Sequence, residues 1–236
     1  MITVRVGVLG LAVYLGVMAG VVGQSGGEAY RPFNGKDLSG WKLKGDAAKS
    51  HWKAAAVKLD PTNERAFVVV PEAKELWLCN VQGRGVDIYT EEKFGDIHLE
   101  VEFLLPKGSN SGVYLMGEYE VQVLDSYGKP DNKLTQGDLG ALYGAAPPKK
   151  NAARKPGEWQ KFVIEFQAPR FANGQKVAPA RFRKVELNGV VLHENVEMKG
   201  PTPGGLTGKE APTGPLMFQG DHGPVAYRNI IITPLK

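Results

Sequence analysis

The chain has 236 residues, enough for one sizeable β domain or two small ones. Its 30 glycines and 16 prolines interrupt it too often for long helices and favour short strands joined by turns. The net charge is +4, and the basic residues are scattered rather than interleaved with aromatics, so a nucleic-acid surface is unsupported.

Arg5 gives a short positive start, and Val6 to Val22 is apolar or glycine apart from the Tyr14 hydroxyl. This predicts a signal peptide over residues 1–23, cleaved before Gln24. The alternative is an uncleaved anchor, although the run falls just short of the ~20 residues a spanning helix needs. Export to the periplasm or beyond follows, with no stable membrane association after cleavage. Cys79 is the only cysteine, so no internal disulfide can form, and a buried, inert thiol is the expected state. Residues 24–29 read as a linker and residues 30–236 as one domain.

Asn34-Gly35 marks a turn before a strand around Trp41 to Leu43. Trp52 to Leu59 and Phe67 to Val70 follow, separated by the Asp60-Pro61 turn. Leu76 to Cys79 and Val86 to Tyr89 flank Gly83-Arg-Gly85 and read as a hairpin. From Asp96 to Leu105, Ile97, Leu99, Val101 and Phe103 alternate with His98, Glu100 and Glu102, the period of a half-buried strand. Gly108 to Gly112 turns the chain into a stretch that alternates from Val113 to Leu124. That stretch reads as the antiparallel neighbour of the preceding strand. Lys129 to Gly157 is mostly loop, and Ala141 to Gly144 is a short candidate strand. Trp159 to Phe166 alternates, and Ala168 to Ala180 reads as a wide turn. Ala180 to Leu187, Asn188-Gly189 and Val190 to His193 form the clearest hairpin, since Asn-Gly fits a type I′ turn. After a long loop over Glu194 to Gly214, strands are expected at Pro215 to Gln219 and Val225 to Pro234. About a dozen strands and no convincing helix predict an all-β, two-sheet antiparallel jelly-roll sandwich in one domain.

Chemistry-bearing residues concentrate in few places. Gly108-Ser-Asn-Ser-Gly112 has Asn where a nucleophile elbow needs Ser. His51, His98, His193 and His222 are too dispersed to define a metal site, and one cysteine excludes thiolate zinc clusters. Glu120 and Asp125 flank Gln122, and such paired carboxylates suit glycoside chemistry. Asp125 has the wrong parity for that face unless a bulge turns it back. Tyr114, Gln122 and Tyr127 add the aromatic and amide groups that a sugar site needs. Glu100, Glu102 and Glu118 read as decoration of a solvated face, and Trp159 as core. Asp221 beside His222 can orient a group suited to proton transfer near neutrality. Arg228 is either a surface charge or the binder of a polarised substrate oxygen, and Tyr143 is core or platform.

Phe33-Asn-Gly-Lys-Asp-Leu-Ser-Gly-Trp41, Gly108-Ser-Asn-Ser-Gly-Val-Tyr-Leu115, Tyr119-Glu-Val-Gln-Val-Leu-Asp125, Leu142-Tyr-Gly144, Gly157-Glu-Trp159, Asn188-Gly-Val190, Gly200-Pro-Thr202 and Tyr227-Arg-Asn-Ile230 together resemble the 3-keto-disaccharide hydrolase family. The resemblance runs from about Tyr30 to the C-terminus. It implies a sandwich similar to concanavalin A-like lectins and glucanases, and an exported enzyme cleaving glycosides already oxidised to a ketone at carbon 3. Laminarinase-type glucanases of that architecture carry Glu-x-Asp-x-x-Glu, where this chain has Glu120-x-Gln122-x-x-Asp125. The amide at Gln122 argues against double displacement. A ketone at carbon 3 acidifies the carbon-2 proton, so elimination and hydration become the expected route. On that reading Glu120 or His222 is the base and Asp125 or His222 the acid. Arg228 or a divalent cation meets the ketone oxygen, and Asn110, Ser111, Tyr114, Gln122 and Tyr143 bind the sugar. The expected partner is a carbohydrate substrate, and no cofactor is certain. A non-catalytic lectin-like module is the alternative, and a structural envelope protein ranks last.

Overall fold

A computed structural model describes Met1 and residues 27–235; the predicted signal peptide and the start of the linker lie outside the described residues. The strands form two main antiparallel sheets and one small ribbon. The first sheet runs β1 (Trp41–Lys44), β5 (Asp87–Thr90), β14 (Met217–Phe218), β7 (Asn110–Leu115) and β8 (Tyr119–Leu124). The second runs β13 (Val190–Glu197), β12 (Arg181–Leu187), β9 (Gln160–Gln167), β6 (Ile97–Leu104), β15 (Val225–Pro234), β4 (Trp77–Asn80), β2 (Trp52–Asp60) and β3 (Asn63–Val70). The ribbon pairs β10 (Arg170–Ala172) with β11 (Gln175–Ala178), inside the segment expected to be a wide turn. The only other regular pieces among the described residues are 3-10 turns at Ala47–Lys49 and Asp131–Lys133.

The sheets stack through the residues that the alternation pointed inward. Leu99, Val101 and Phe103 on β6 and Phe162, Ile164 and Phe166 on β9 are fully buried. Val113, Leu115, Val121 and Val123 meet them from the β7–β8 pair. Phe218 of the first sheet stacks on Tyr227 of the second, centroids 3.9 Å apart and planes 12° apart. A smaller cluster of Ala55, Val57, Phe67, Cys79, Leu104 and Ala226 lies on the outer side of the second sheet. There the Cys79 thiol is buried, and burial pushes its pKa up to about 12.

Two expected neighbours are in fact on opposite sheets. β6 pairs with β9 and β15, whereas β7 and β8 pair with each other and with β14. β4 and β5 also part company: β4 joins the second sheet and β5 the first, so Gly83 to Gly85 links two sheets rather than closing a hairpin. Alternation records which face of a strand is apolar, and strands from either side of a sandwich core carry the same pattern. The Asn188-Gly189 turn is as expected, with φ of 52° and 85° at its two residues, the positive values of type I′.

Candidate active site

The site is built on the hairpin of β7 and β8. The continuous alternation from Val113 to Leu124 hides a reversal at Met116-Gly117, where φ is 55° and 71°. Leu115 then pairs with Tyr119, Tyr114 with Glu120, Gly112 with Gln122 and Asn110 with Leu124. Tyr114 therefore stands beside Glu120 rather than far down the same strand. Glu120 and Gln122 share a face, ~7 Å apart by strand geometry. A Cβ on Gly112 would collide with the Glu120 carboxylate and the Tyr114 ring, so the glycine makes the space both groups occupy.

This face opens into a cavity of about 180 Å³ that touches Asn110, Tyr114, Glu120, Gln122 and Tyr143. Pro203 and Gly204 close one side, and Gln219, Asp221 and His222 the other. Its floor is deep: Tyr114 is 1 % exposed, Glu120 2 % and Gln122 5 %. The Tyr114 hydroxyl donates to the Pro203 carbonyl at 3.2 Å. The Gln122 Oε1 accepts the Val123 N–H at 3.2 Å, which turns the amide NH2 away from that bond. Asn110 Oδ1 and Gln219 Oε1 are buried acceptors without a partner in the protein. His222 Nδ1 hydrogen-bonds the Asp221 carboxylate at the exposed rim.

The loop on the Pro203 side is pinned to the start of β8, and the rest of that strand's outer edge is bridged by the Gly140 to Tyr143 segment. Thr202 Oγ1 accepts the Glu120 N–H at 3.0 Å, and the Thr202 N–H donates to the Glu118 carbonyl at 2.8 Å. The Glu118 carboxylate takes the Thr207 N–H, the Thr207 hydroxyl and the Gly208 N–H at 2.8, 2.6 and 3.0 Å. Glu118 is thus a buried anchor, not surface decoration. Lys44 Nζ bridges the Gly204 carbonyl at 2.7 Å and Asp87 Oδ2 at 3.1 Å.

Burial pushes the Glu120 carboxyl up to about 7; the Tyr114 hydroxyl partly offsets this, and the charges of Asp87 and Asp221 add to it. The same burial, and then the Glu120 charge, hold the Tyr114 hydroxyl well above its ordinary value, so it remains a protonated donor. A carboxyl that titrates near neutrality can both take and return a proton.

Three residues expected in the site lie elsewhere. Asp125 needs no bulge because it does not reach the cavity. Its N–H continues the ladder to the Ser109 carbonyl at 3.0 Å, and its carboxylate accepts the Gly108 N–H at 2.8 Å. Ser111 faces the core, where its hydroxyl donates to the Gln219 carbonyl at 2.7 Å and meets the Tyr227 hydroxyl at 2.9 Å. Arg228 lies on the outer face of the second sheet, its Nε donating to Glu102 Oε2 at 2.7 Å. Gln219 is a cavity residue that the sequence reading missed, and Asp87, outside the lining, acts on the site through its charge on Glu120 and its bond to Lys44. Gln219 shares parity with Met217, but only the pairing of β14 with β7 shows that this parity faces the cavity. Among the described residues, no group of three or more His, Cys, Asp or Glu side chains could hold a metal ion.

The 3-keto-alpha-glucoside-1,2-lyase-like domain family matches residues 29–233. The chain belongs to that family. A curated relative from Bacteroides thetaiotaomicron, named 3-keto-disaccharide hydrolase, is 27 % identical over 61 % of this chain and 54 % of its own length. The chain thus spans about half the length of that relative. A Parabacteroides distasonis crystal structure described as a candidate glycosyl hydrolase is 32 % identical with a TM-score of 0.66, covering 88 % of this chain and 84 % of that one. A second structure from the same organism, similarly described, has a TM-score of 0.60 at 17 % identity over 88 % and 94 %, and shares the fold. Family membership places the chain with proteins named for glycoside chemistry, and the sandwich is the concanavalin A-like one expected. Among the described residues no helix is long and apolar enough to cross a membrane.

Proposed function

We propose that the chain cleaves glycosides carrying a ketone at carbon 3, by proton abstraction at carbon 2, elimination and hydration. The carrying observation is the buried Glu120 carboxyl, pushed up to about 7 inside a cavity lined by sugar-binding side-chain types. Its ionised form takes the carbon-2 proton, acidified by the neighbouring ketone. Electrons move into the ketone, giving an enolate whose oxygen meets the Gln122 NH2 and the Tyr114 hydroxyl. The enolate re-forms the ketone as the carbon-1 to oxygen bond breaks, and His222, held by Asp221, protonates the departing oxygen. Water then adds across the resulting double bond. His222 takes a proton from the water that attacks carbon 1, and Glu120, its proton exchanged with solvent while the double bond stands, delivers one to carbon 2. Both side chains end as they began, and the balance is that of hydrolysis.

No second carboxylate shares the cavity floor as a nucleophile would require; the groove holds Gln122 there, and Asp125 is turned into the Gly108 turn. A cavity of about 180 Å³ is below the ~300 Å³ at which pockets enclose whole drug-sized ligands, so it suits one ring with the remainder outside. A binding module would gain little from burying a carboxylate whose ionisation costs stability. The test is turnover of a chromogenic 3-keto-glucoside against the parent glucoside. Release of chromophore from the keto compound only is expected. Equal release from both would contradict the proposal.

A further inference from the structure

The outer face of the second sheet carries a groove of about 580 Å³, on the side of the sandwich opposite Glu120. Arg228 and Trp77 come from neighbouring strands β15 and β4, whose inward partners Tyr227 and Leu78 pair in the ladder. Arg31 and Phe33 arrive from the N-terminal segment and Lys74 from the turn before β4. A register shift between Arg228 and Ile231, with Asn229 at φ 48°, lifts the strand at the groove.

Three cations, Arg31, Lys74 and Arg228, face the groove against one carboxylate, Glu75, so the unspent groups are mostly donors. The Arg228 guanidinium lies 3.9 Å from the Trp159 ring centroid and 5.8 Å from that of Trp77. Only its Nε is engaged, by Glu102. Neither Arg31 nor Lys74 forms an ion pair among the described residues. The Trp77 Nε1–H is buried in the wall without an acceptor. Trp77 and Trp159 pack edge to face at 5.0 Å, which fixes both rings. Donors call for an acceptor-rich ligand, and the cations call for an anionic one. The volume falls within the ~300–1,000 Å³ of pockets for organic molecules, well beyond a single inorganic ion. Aromatic walls beside guanidinium and ammonium groups suit a sugar ring bearing a carboxylate.

We infer that this groove binds acidic carbohydrate, a uronate-bearing chain, at a site separate from the Glu120 cavity. Such a site would hold the protein on an acidic glycan and leave the cavity free. It does not depend on the chemistry proposed for Glu120.

The test is binding of the full chain to a galacturonic-acid oligosaccharide, with a neutral gluco-oligosaccharide and inorganic polyphosphate as the other probes. The uronate is expected to bind more tightly than the neutral chain, and to weaken as salt rises. Arg31→Gln with Lys74→Gln should weaken it roughly tenfold or more, and Trp77→Phe, which keeps a ring and removes the N–H, by several-fold. Cleavage of the 3-keto-glucoside should be the same in these variants, and unchanged melting would show that they fold. Three outcomes overturn the inference: no uronate binding, uronate binding that the folded variants retain, or polyphosphate binding as tight and as insensitive to Trp77→Phe as a bare charged surface gives.

Discussion

Tyr114 stands directly across the hairpin from Glu120, and the two side chains titrate against each other. The tyrosine hydroxyl draws the Glu120 pKa down, while burial and the Asp87 and Asp221 charges drive it up. Tyr114→Phe removes the downward influence. The acid limb of the pH profile for kcat/KM, which reports a base in the free enzyme, is expected near 7 in the wild type and higher in the variant. A pH-rate profile of both proteins checks this, and an unmoved limb would separate Tyr114 from Glu120.

Glu120 should cost stability at neutral pH. Its folded pKa of about 7 exceeds the ordinary 4.5, so the folded state holds the proton more tightly than the unfolded chain. The protein is therefore most stable with respect to this group below 4.5 and loses stability as pH rises to about 7. The loss is on the order of 3 kcal/mol. Glu120→Gln should remove that loss, melting higher than wild type at pH ~8 and similarly at pH ~4, while kcat falls by a factor of about 10² or more. Denaturant titration at the two pH values is the measurement.

Gly112→Ala should affect the site more than the fold. The new methyl meets the Glu120 carboxylate and the Tyr114 ring and must displace one of them. A stability cost of about 1–3 kcal/mol is expected, with a larger loss in kcat than the stability change explains. Steady-state kinetics beside a melting curve distinguish the two effects.

Glu118→Ala should release the loop that covers the cavity. It leaves the Thr207 N–H, the Thr207 hydroxyl and the Gly208 N–H without their acceptor. Partly exposed donors regain water, so the cost is about 2–4 kcal/mol rather than the full sum. Amide exchange should quicken across residues 202–208. Asp125→Asn, by contrast, keeps an acceptor for the Gly108 N–H and should change kcat by less than about threefold.

The fold was legible because its strands alternate so regularly. Ile97 to Phe103 and Phe162 to Phe166 could be assigned a face from sequence, and the Asn188-Gly189 turn its type. Sheet membership was not legible, because inward parity looks the same from either side of the core. That is why β6 and β7 were misplaced as neighbours. Within the cavity, Glu120, Gln122, Tyr114 and Asn110 lay in one polar run and could be grouped, Tyr143 came in only through the family resemblance, and His222 through its Asp221 pair. Gln219 could not be grouped, since it reaches the cavity only through the pairing of β14 with β7, and Asp87 acts on Glu120 only through its charge from neighbouring β5. Arg228 misled for a similar reason: its strand neighbours the core, but its parity places it on the far face.

The most direct test of the account is cleavage of a 3-keto-glucoside in deuterium oxide, with the product examined by NMR at early times. Elimination followed by hydration requires a new proton at carbon 2, delivered by Glu120 after exchange with solvent in an open cavity. The account predicts deuterium at carbon 2 of the released keto-sugar as fast as product appears. Cleavage that leaves carbon 2 carrying only its original hydrogen would contradict it.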